Sequence, residues 1–439
     1  MISIFVSHGA GRMARRLTMV GAVLAVAAAC YDASKILDQD APSRVTASDL
    51  NNPNYAQLLV TSAIGDFECA FTQYIVATGL TGDELIDAQL SQVGWDYDRR
   101  TIFPASGPYS LFQCGQTQVP ALYTPLAVAR FDADKILKEL QGWTDAQVAN
   151  RQSLIAQAAV YAGFSLELLG ESMCSAAIDL GPEMTRQQLF AAAEARFTTA
   201  ITAATGTNPT MLNAALVGRA RARLNQNNLA GAGADAALVT DPTFVLNATY
   251  SATATRRENM VWSQMYRGFF SSVDSSFRGL TFGGVPDPRV NVVDAGLKGA
   301  DRATEIWRQT KYPAIGSPIP IARYAEAQLI LAEADNAAGN TAAAVNIINA
   351  LHAKAGIPAY AGGTQAEVQA QIIEERRREF FLEGKRFGDL IRYNIAIQPA
   401  PGAPFPVKGG SYGPNTGLQL CFPLPDVERN NNPNIGKSS

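Results

Sequence analysis

The stretch IIEERRREFFLEGKRFGDLIR, residues 372–392, mixes charged and apolar residues along what its spacing predicts to be one helix. Four apolar residues fall on a single stripe of that helix: Ile373, Phe380, Phe387 and Ile391. Arg376 and Arg377 lie on the same stripe, between the first two of these residues. If the stripe packs against the rest of the protein, it buries guanidinium groups, and a buried guanidinium needs a partner.

Carboxylates close to these arginines can supply the partners. Four glutamates lie within helical reach or can come from a neighbouring helix: Glu374, Glu375, Glu379 and Glu383. We therefore expect a partly buried network of arginine and glutamate. We also expect Gly384, which has no side chain, to let a neighbouring segment approach closely. The alternative that periodicity leaves open is a solvated run of charges on an amphipathic helix.

The same stretch resembles the C-terminal signature of the SusD/RagB family. The resemblance rests on three groups of residues: Glu375–Glu379, Leu382–Phe387 and Asp389–Arg392. Other segments also resemble that family's pattern, one before the signature and the rest after it: Arg323–Ala334, Phe422–Pro425, Glu428 and Asn432–Asn434. The resemblance is strongest over residues 305–436.

Membership of this family implies a structural role for the signature residues, which in this chain are Arg376, Arg377, Glu379, Glu383, Gly384, Asp389 and Arg392. The ligand contacts of the family lie in variable loops and follow no motif. The resemblance further implies a lipoprotein on the outer face of the outer membrane, without a cofactor. Such a protein captures a nutrient, most often an oligosaccharide and sometimes a peptide, for a SusC-like TonB-dependent transporter.

The rest of the chain is dominated by paired helical patterns that end at Gly, Pro or Asn. The predicted helices are 125–140 and 145–169, then 186–204, 209–224 and 230–239, and finally 321–337 and 341–355. Their spacing resembles the tetratricopeptide repeat and predicts an all-α fold with helical regions at 125–240 and 321–395. Loop-rich insertions are predicted at 70–118, 241–320 and 398–418, and insertions of this kind often carry function.

The composition is that of a globular protein with a sizeable core, because 47% of the residues are hydrophobic. Lysine and arginine total 36 against 39 aspartates and glutamates, which gives a formal net charge of -3. This balance produces no field that would attract nucleic acid or an anionic membrane surface.

The N-terminus carries an export signal over residues 1–29, with Met13 as an alternative start. Its apolar run, 17–29, is too short to span a membrane. The run ends in three alanines and Cys30, which resembles the bacterial lipobox, so we expect lipidation of Cys30 and a mature domain at 30–439. Cleavage without lipidation is the alternative.

Four further cysteines are an even number in an exported protein, which favours disulfides. They are Cys69, Cys114, Cys174 and Cys421, and the sequence alone allows three pairings. We favour Cys69 with Cys114, joining two N-terminal segments, and Cys174 with Cys421, tying the C-terminal tail to the helical body. No pair has the close spacing of metal ligands, so we expect no metal site.

Catalytic patterns are scarce, and we expect a binding protein. The only histidine after processing is His352, which is predicted to face solvent on a helix without a partner. Asp83, Glu84 and Asp87 form the best carboxylate patch for glycoside hydrolysis, but acids at a helix N-terminus explain them more simply. A glycan-cleaving enzyme and a helical scaffold lipoprotein of the envelope remain as alternatives.

Aromatic residues in the loops are the candidate ligand contacts, because a sugar stacks on flat rings while polar groups hold its hydroxyls. The candidates are Trp95, Asp96, Tyr97, Tyr109 and Trp262. Trp95 is the strongest of them, since its glycine and aspartate neighbours are poor company for a core residue. Packing in the core is the alternative for each aromatic residue.

Overall fold

A computed structural model describes residues 51–115, 118–397, 399–400 and 420–436. The export signal, Cys30 and most of the predicted loop at 398–418 lie outside the described residues. From Pro53 onward the described residues belong to one unit, which begins with a long central helix, α1 (Ala56–Thr81).

The central helix α1 is buried on every side over its second half, where residues 67–81 have almost no exposed surface. A helix that is apolar all round lacks the one-sided period that marks an amphipathic helix. This explains why the prediction of loops from residue 70 is wrong for residues 70–81. The rest of the insertion contains two short helices, α2 (Gln92–Asp98) and α3 (Gly107–Leu111), and strand β1 (Leu85–Asp87).

Five helices form the first helical region: α4 (Tyr123–Gly142), α5 (Arg151–Ser172), α6 (Arg186–Ala204), α7 (Pro209–Asn225) and α8 (Leu229–Ala236). Helix α6 begins and ends as predicted, because Thr185 and Gln188 form a capping box at its start. Between α5 and α6 lie the paired strands β2 (Ser175–Ala177) and β3 (Glu183–Thr185).

Small residues let α5, α6 and α7 pack closely around one ring. Phe197 of α6 lies against Gly163 of α5 and Gly218 of α7. A Cβ atom would fall 2.6 Å from the ring at Gly163 and 2.3 Å from it at Gly218. An alanine at either position would therefore force the helices apart.

The predicted loops at 241–320 contain one α-helix, two short 3-10 helices (Thr255–Arg257 and Ser275–Phe277) and several short strands. These are β4 (Val245–Ala248), α9 (Met260–Tyr266), β5 (Ser271–Val273), β6 (Thr281–Phe282), β7 (Val285–Pro286), β8 (Val292–Lys298), β9 (Glu305–Gln309) and β10 (Ile319–Arg323). All pairs are antiparallel: β1 with β5, β4 with β10, β6 with β7, and β8 with β9. The pairing of β1 with β5 joins the two insertions that the sequence separates.

The second helical region consists of α10 (Tyr324–Ala337), α11 (Thr341–Ala355), α12 (Gln365–Glu379) and α13 (Arg386–Arg392), and a short helix, α14 (Asp426–Asn431), follows near the end. Helix α11 matches its predicted bounds, whereas strand β10 occupies the predicted start of α10. The prediction of one helix over 372–392 is wrong. The chain turns between α12 and α13, with positive φ angles of 55° at Leu382 and 71° at Gly384.

The predominantly helical, paired architecture confirms the predicted fold class. One helix among the described residues, Arg151–Ser172, is long and apolar enough to cross a membrane by composition. Its apolar window is 89% buried inside the protein, which is typical of a core helix.

Candidate functional site

Two disulfides join segments that are separate in the sequence. Cys69 of α1 bonds to Cys114, with 5.9 Å between their Cα atoms, and so holds the end of the first insertion against the central helix. Cys174 bonds to Cys421 across a sequence separation of 247 residues. Backbone hydrogen bonds beside the second disulfide, from Cys174 N to Phe422 O and from Phe422 N to Ser172 O, reinforce it. These are the two pairs favoured above.

The signature residues form buried ion pairs. Arg376 donates from Nε and Nη2 to the carboxylate of Asp389, at distances of 2.9–3.1 Å, although both side chains are almost fully buried. Burial alone would lower the pKa of Arg376, but the Asp389 charge raises it overall. The partner of Arg376 is thus an aspartate on α13 and not one of the four glutamates expected from helical spacing.

Glutamates of the signature reach other elements. Glu383 accepts hydrogen bonds from Arg323 and from Lys311, and Glu379 accepts one from Arg323 at 2.6 Å. Burial acts to raise the pKa of Glu383, but the two cations outweigh it and lower the pKa to about 2. Arg377 pairs with Glu374 at 3.1 Å, in accordance with helical spacing.

The remaining signature residues hold distant parts together. Arg392 binds both carboxylate oxygens of Glu333 at 2.6 and 3.0 Å. A Cβ atom at Gly384 would lie 3.0 Å from Tyr74 of α1. The signature is therefore an arrangement of buried charges that ties α12 and α13 to each other, to β10 and to α10, while the turn between them contacts the central helix.

His352 is buried and does not face solvent, which corrects the expectation from the sequence. Its Nδ1 lies 2.7 Å from the Pro358 carbonyl and its Nε2 lies 2.7 Å from Glu375. Burial acts to lower the pKa of His352, but the hydrogen bond to Glu375 raises it overall. Both ring nitrogens thus face acceptors, and the residue ties α11 to α12.

The acidic patch at residues 83–87 has structural partners and follows α1 instead of preceding a helix. Asp83 accepts two hydrogen bonds from Arg386, at 2.6 and 2.8 Å. Glu84 is buried and accepts a hydrogen bond from Leu382 N, and burial raises the pKa of its carboxyl to about 7. The helix N-terminus interpretation of these acids is wrong, because α1 ends at Thr81.

Tyr97 and Tyr109 are core residues, which corrects the expectation that they contact ligand. Both rings are completely buried, and both pack against Phe422 at centroid distances of 5.8 and 6.4 Å. Their hydroxyls donate to backbone carbonyls, that of Tyr97 to Pro120 at 2.7 Å and that of Tyr109 to Pro423 at 3.0 Å. Neither ring offers a free face to a ligand.

Trp95 stays a candidate ligand contact, because it is only half-buried on the short helix α2. Its indole N–H donates to the Gln89 carbonyl at 2.7 Å, which fixes the ring and leaves its surface as the part that a ligand can use. Beside it, Asp96 accepts a hydrogen bond from the Thr101 hydroxyl at 2.6 Å, and burial raises the pKa of its carboxyl.

Trp262 belongs to a stack of aromatic rings on α9. Its ring is parallel to that of Tyr266, with 5.4 Å between centroids, and its indole N–H donates to the Pro313 carbonyl at 3.2 Å. The guanidinium of Arg308, on β9, lies over Tyr266 at 4.8 Å and over Phe269 at 5.3 Å. As at Trp95, the internal hydrogen bond leaves ring surface for a ligand.

The segments that carry Trp95 and Trp262 are neighbours in the fold. Strand β1 precedes Trp95, strand β5 follows Trp262, and the two strands pair. The carbonyl of Gln118 accepts hydrogen bonds from Gln89, at 3.4 Å, and from Gln264, at 3.1 Å. Both segments lie in insertions that the sequence predicts to be loops. We therefore call 85–98 and 260–273 together the loop region.

Sequence reasoning missed Tyr266 and Arg308 as candidate contacts. Tyr266 lies four residues after Trp262, so a helical assignment for α9 would have placed the two rings on one face. Arg308 comes from a distant strand, and no local pattern indicates its position over Tyr266.

Comparisons with known proteins agree with this fold. Residues 306–437 match the model of the SusD family. The resemblance to the SusD/RagB family is therefore confirmed. The starch-binding protein SusD of Bacteroides thetaiotaomicron is 28% identical over 173 residues, which are 37% of this chain. That match spans 30% of the relative's length.

Solved SusD-like structures share the fold at low sequence identity. A SusD-like carbohydrate-binding protein from Bacteroides vulgatus is 17% identical, with a TM-score of 0.63 over 88% of this chain and 98% of its own. A laminarin-binding SusD-like protein is 16% identical, with a TM-score of 0.62 over the same shares of the two chains. Outside 306–437, therefore, the comparisons support the SusD fold alone.

Proposed function

We propose that this protein binds a glycan at the loop region, with Trp95 and Trp262 as stacking surfaces. The observation that carries this proposal is that each indole N–H is already bonded to a backbone carbonyl. The rings are thereby held in place without a ligand, so binding does not have to pay for ordering them. Two side chains supply polar groups: Asp96, which is next to Trp95, and Arg308, whose guanidinium lies over Tyr266.

Known relatives support this ligand class. One curated relative is a starch-binding protein, and one structural neighbour binds laminarin. A peptide is the alternative ligand that the family resemblance leaves open. The proposed mode of action is capture without cleavage, followed by transfer to a SusC-like TonB-dependent transporter, with Cys30 as the lipid anchor at the cell surface.

Calorimetric titration with a panel of glucans and other glycans tests the binding site. Trp95→Ala and Trp262→Ala remove the stacking surfaces, and each should weaken binding by about 2 kcal/mol, or roughly thirtyfold. The matched control is Trp143→Ala, which removes a half-buried tryptophan at the end of α4, outside the loop region. Unchanged affinity in both loop variants would refute the site.

Two further measurements separate the proposal from its rivals. Purification of the lipidated protein from its native envelope should recover an outer-membrane barrel protein, whereas a scaffold protein would recover other envelope proteins and bind no glycan. Chromatography of each glycan after long incubation should show no shortening. Cleavage products that disappear when an aspartate or glutamate of the protein is replaced would favour the glycan-cleaving enzyme.

A further inference from the structure

A cavity of about 690 Å³ lies among the start of α6, the end of α7 and the end of α13. It shares no lining residue with the loop region. Its polar walls consist of two guanidinium groups, amides and a hydroxyl, contributed by Thr185, Arg186, Gln187, Asn225, Asn227 and Arg392. Apolar residues such as Phe190 and Ile391 complete the lining.

Arg186 is the distinctive group in this cavity. Its Nε donates to the Gly170 carbonyl at 2.7 Å and its Nη2 to the Glu171 carbonyl at 3.4 Å, so both acceptors are uncharged. Among the described residues, no carboxylate lies within 4.0 Å of this guanidinium, and its Nη1 makes no hydrogen bond. Burial lowers the pKa of Arg186, although the charge of Glu171 acts to raise it.

The second guanidinium in the lining, that of Arg392, provides a contrast. Both of its Nη atoms bond to the carboxylate of Glu333, so its charge is balanced within the protein. The cavity therefore presents one cation that touches no carboxylate, because the charge of Glu171 acts on Arg186 only from beyond 4.0 Å. An anionic ligand group would gain a charge-assisted hydrogen bond there without displacing an existing ion pair.

Amides around the cation can hold the rest of such a ligand. Asn225 donates hydrogen bonds from its Nδ2 to Glu167 at 2.6 Å and to Glu171 at 3.3 Å. These bonds fix the side chain and leave its Oδ1 as an acceptor. Thr185, Gln187 and Asn227 are exposed at the surface and can exchange hydrogen bonds with hydroxyls. This set of groups suits a polyhydroxylated ligand that bears one carboxylate.

We propose that this cavity is a second ligand site, which binds a uronic acid residue through its carboxylate. The carboxylate contacts Arg186, and the sugar hydroxyls contact the amides of the surrounding residues. The volume is within the range of small-molecule sites in proteins, about 300–1,000 Å³. The site is independent of the glycan binding proposed at the loop region.

The test measures binding of a glucuronate or galacturonate disaccharide by calorimetry or ligand-observed NMR, beside the reduced, uncharged disaccharide. Arg186→Gln should weaken uronate binding by about tenfold or more, since a hydrogen bond to a charged group is lost. Arg302→Gln removes an exposed positive charge elsewhere and should leave binding unchanged. Equal binding of the charged and uncharged sugars would overturn the proposal.

Arg186 also bonds to the end of α5, so its replacement can disturb folding. Asn227→Asp avoids this problem, because it keeps Arg186 and places a competing carboxylate in the lining. Asn227 has a φ of 61°, a conformation that both Asn and Asp tolerate. The variant should melt like the native protein and lose uronate affinity.

The two binding proposals fail separately. Trp95→Ala and Trp262→Ala should leave uronate binding intact even if they abolish binding of a neutral glycan. Uronate binding that disappears with these two variants and persists in Asn227→Asp would place the carboxylate at the loop region and refute the cavity site.

Discussion

Replacement of the buried pair Arg376 and Asp389 tests whether the family signature is architecture. The two side chains are only 4% and 5% exposed as residues, so the loss of one leaves the other charge in the core. Such a loss costs about 3–5 kcal/mol. A native protein is stable by only about 5–15 kcal/mol, so the effect is a large fraction of the total.

The structure predicts which of the two single variants loses more stability. After Arg376→Met, Asp389 keeps a second cation, because Arg392 Nη2 lies 3.5 Å away. After Asp389→Leu, Arg376 keeps no carboxylate within 4.0 Å among the described residues. The ring of Phe380 lies 5.3 Å from its guanidinium carbon, and the charge of Glu333 acts on it only from farther away. Asp389→Leu should therefore be the more destabilising of the two.

The double variant Arg376→Met with Asp389→Leu removes both charges and should recover most of the lost stability. Urea unfolding followed by circular dichroism gives the free energy of unfolding for all four proteins. The control is Lys298→Met, since Lys298 and Glu305 form an exposed pair, 53% and 64% accessible, that contributes less than about 1 kcal/mol. Single variants as stable as this control would refute the reasoning, as would a double variant less stable than either single one.

Two more predictions concern the turn between α12 and α13. Gly384→Ala should lower the free energy of unfolding more than Gly356→Ala, as measured by the same urea method. Both glycines have a φ of 71°, but only at Gly384 would the added Cβ atom lie 3.0 Å from Tyr74. Equal losses would contradict the close contact. The folded protein holds the Glu84 proton up to about pH 7, whereas the unfolded chain releases it near pH 4.5, so the free energy of unfolding should fall as pH rises across that window. Glu84→Gln should flatten that fall in a series of unfolding curves at different pH values, and an unchanged slope would assign the fall to other groups.

Local signals in the sequence located much of the helical framework. The boundaries of α6 and α11 were predictable because a capping box, glycines and asparagine mark their ends. Helix α1 was missed over residues 70–81, because it is buried on all sides and its sequence has no amphipathic period. The turn at Leu382 and Gly384 was missed because the reason for it, contact with Tyr74, lies some 300 residues away in the chain.

The candidate site was less predictable for the same reason. Trp95, Tyr97 and Tyr109 have similar local surroundings of Gly, Pro and Asp, yet only Trp95 is not buried in the core. What distinguishes them is Phe422, near the far end of the chain, which packs on both tyrosines. Arg186 likewise looks like an ordinary helix-start residue until α7 and α13 form the rest of its cavity.

The docking of the signature turn onto α1 has a consequence for how the chain folds. Leu382 N bonds to Glu84, and Arg386 bonds to Asp83, across 298 and 303 residues. Closing loops of this length is entropically costly and slow, so these contacts beside the end of α1 form late. Helix α1 is also synthesised long before the residues that make its last contacts, such as Gly384 against Tyr74. Its apolar surface is exposed in that interval, so the incomplete chain is prone to aggregate.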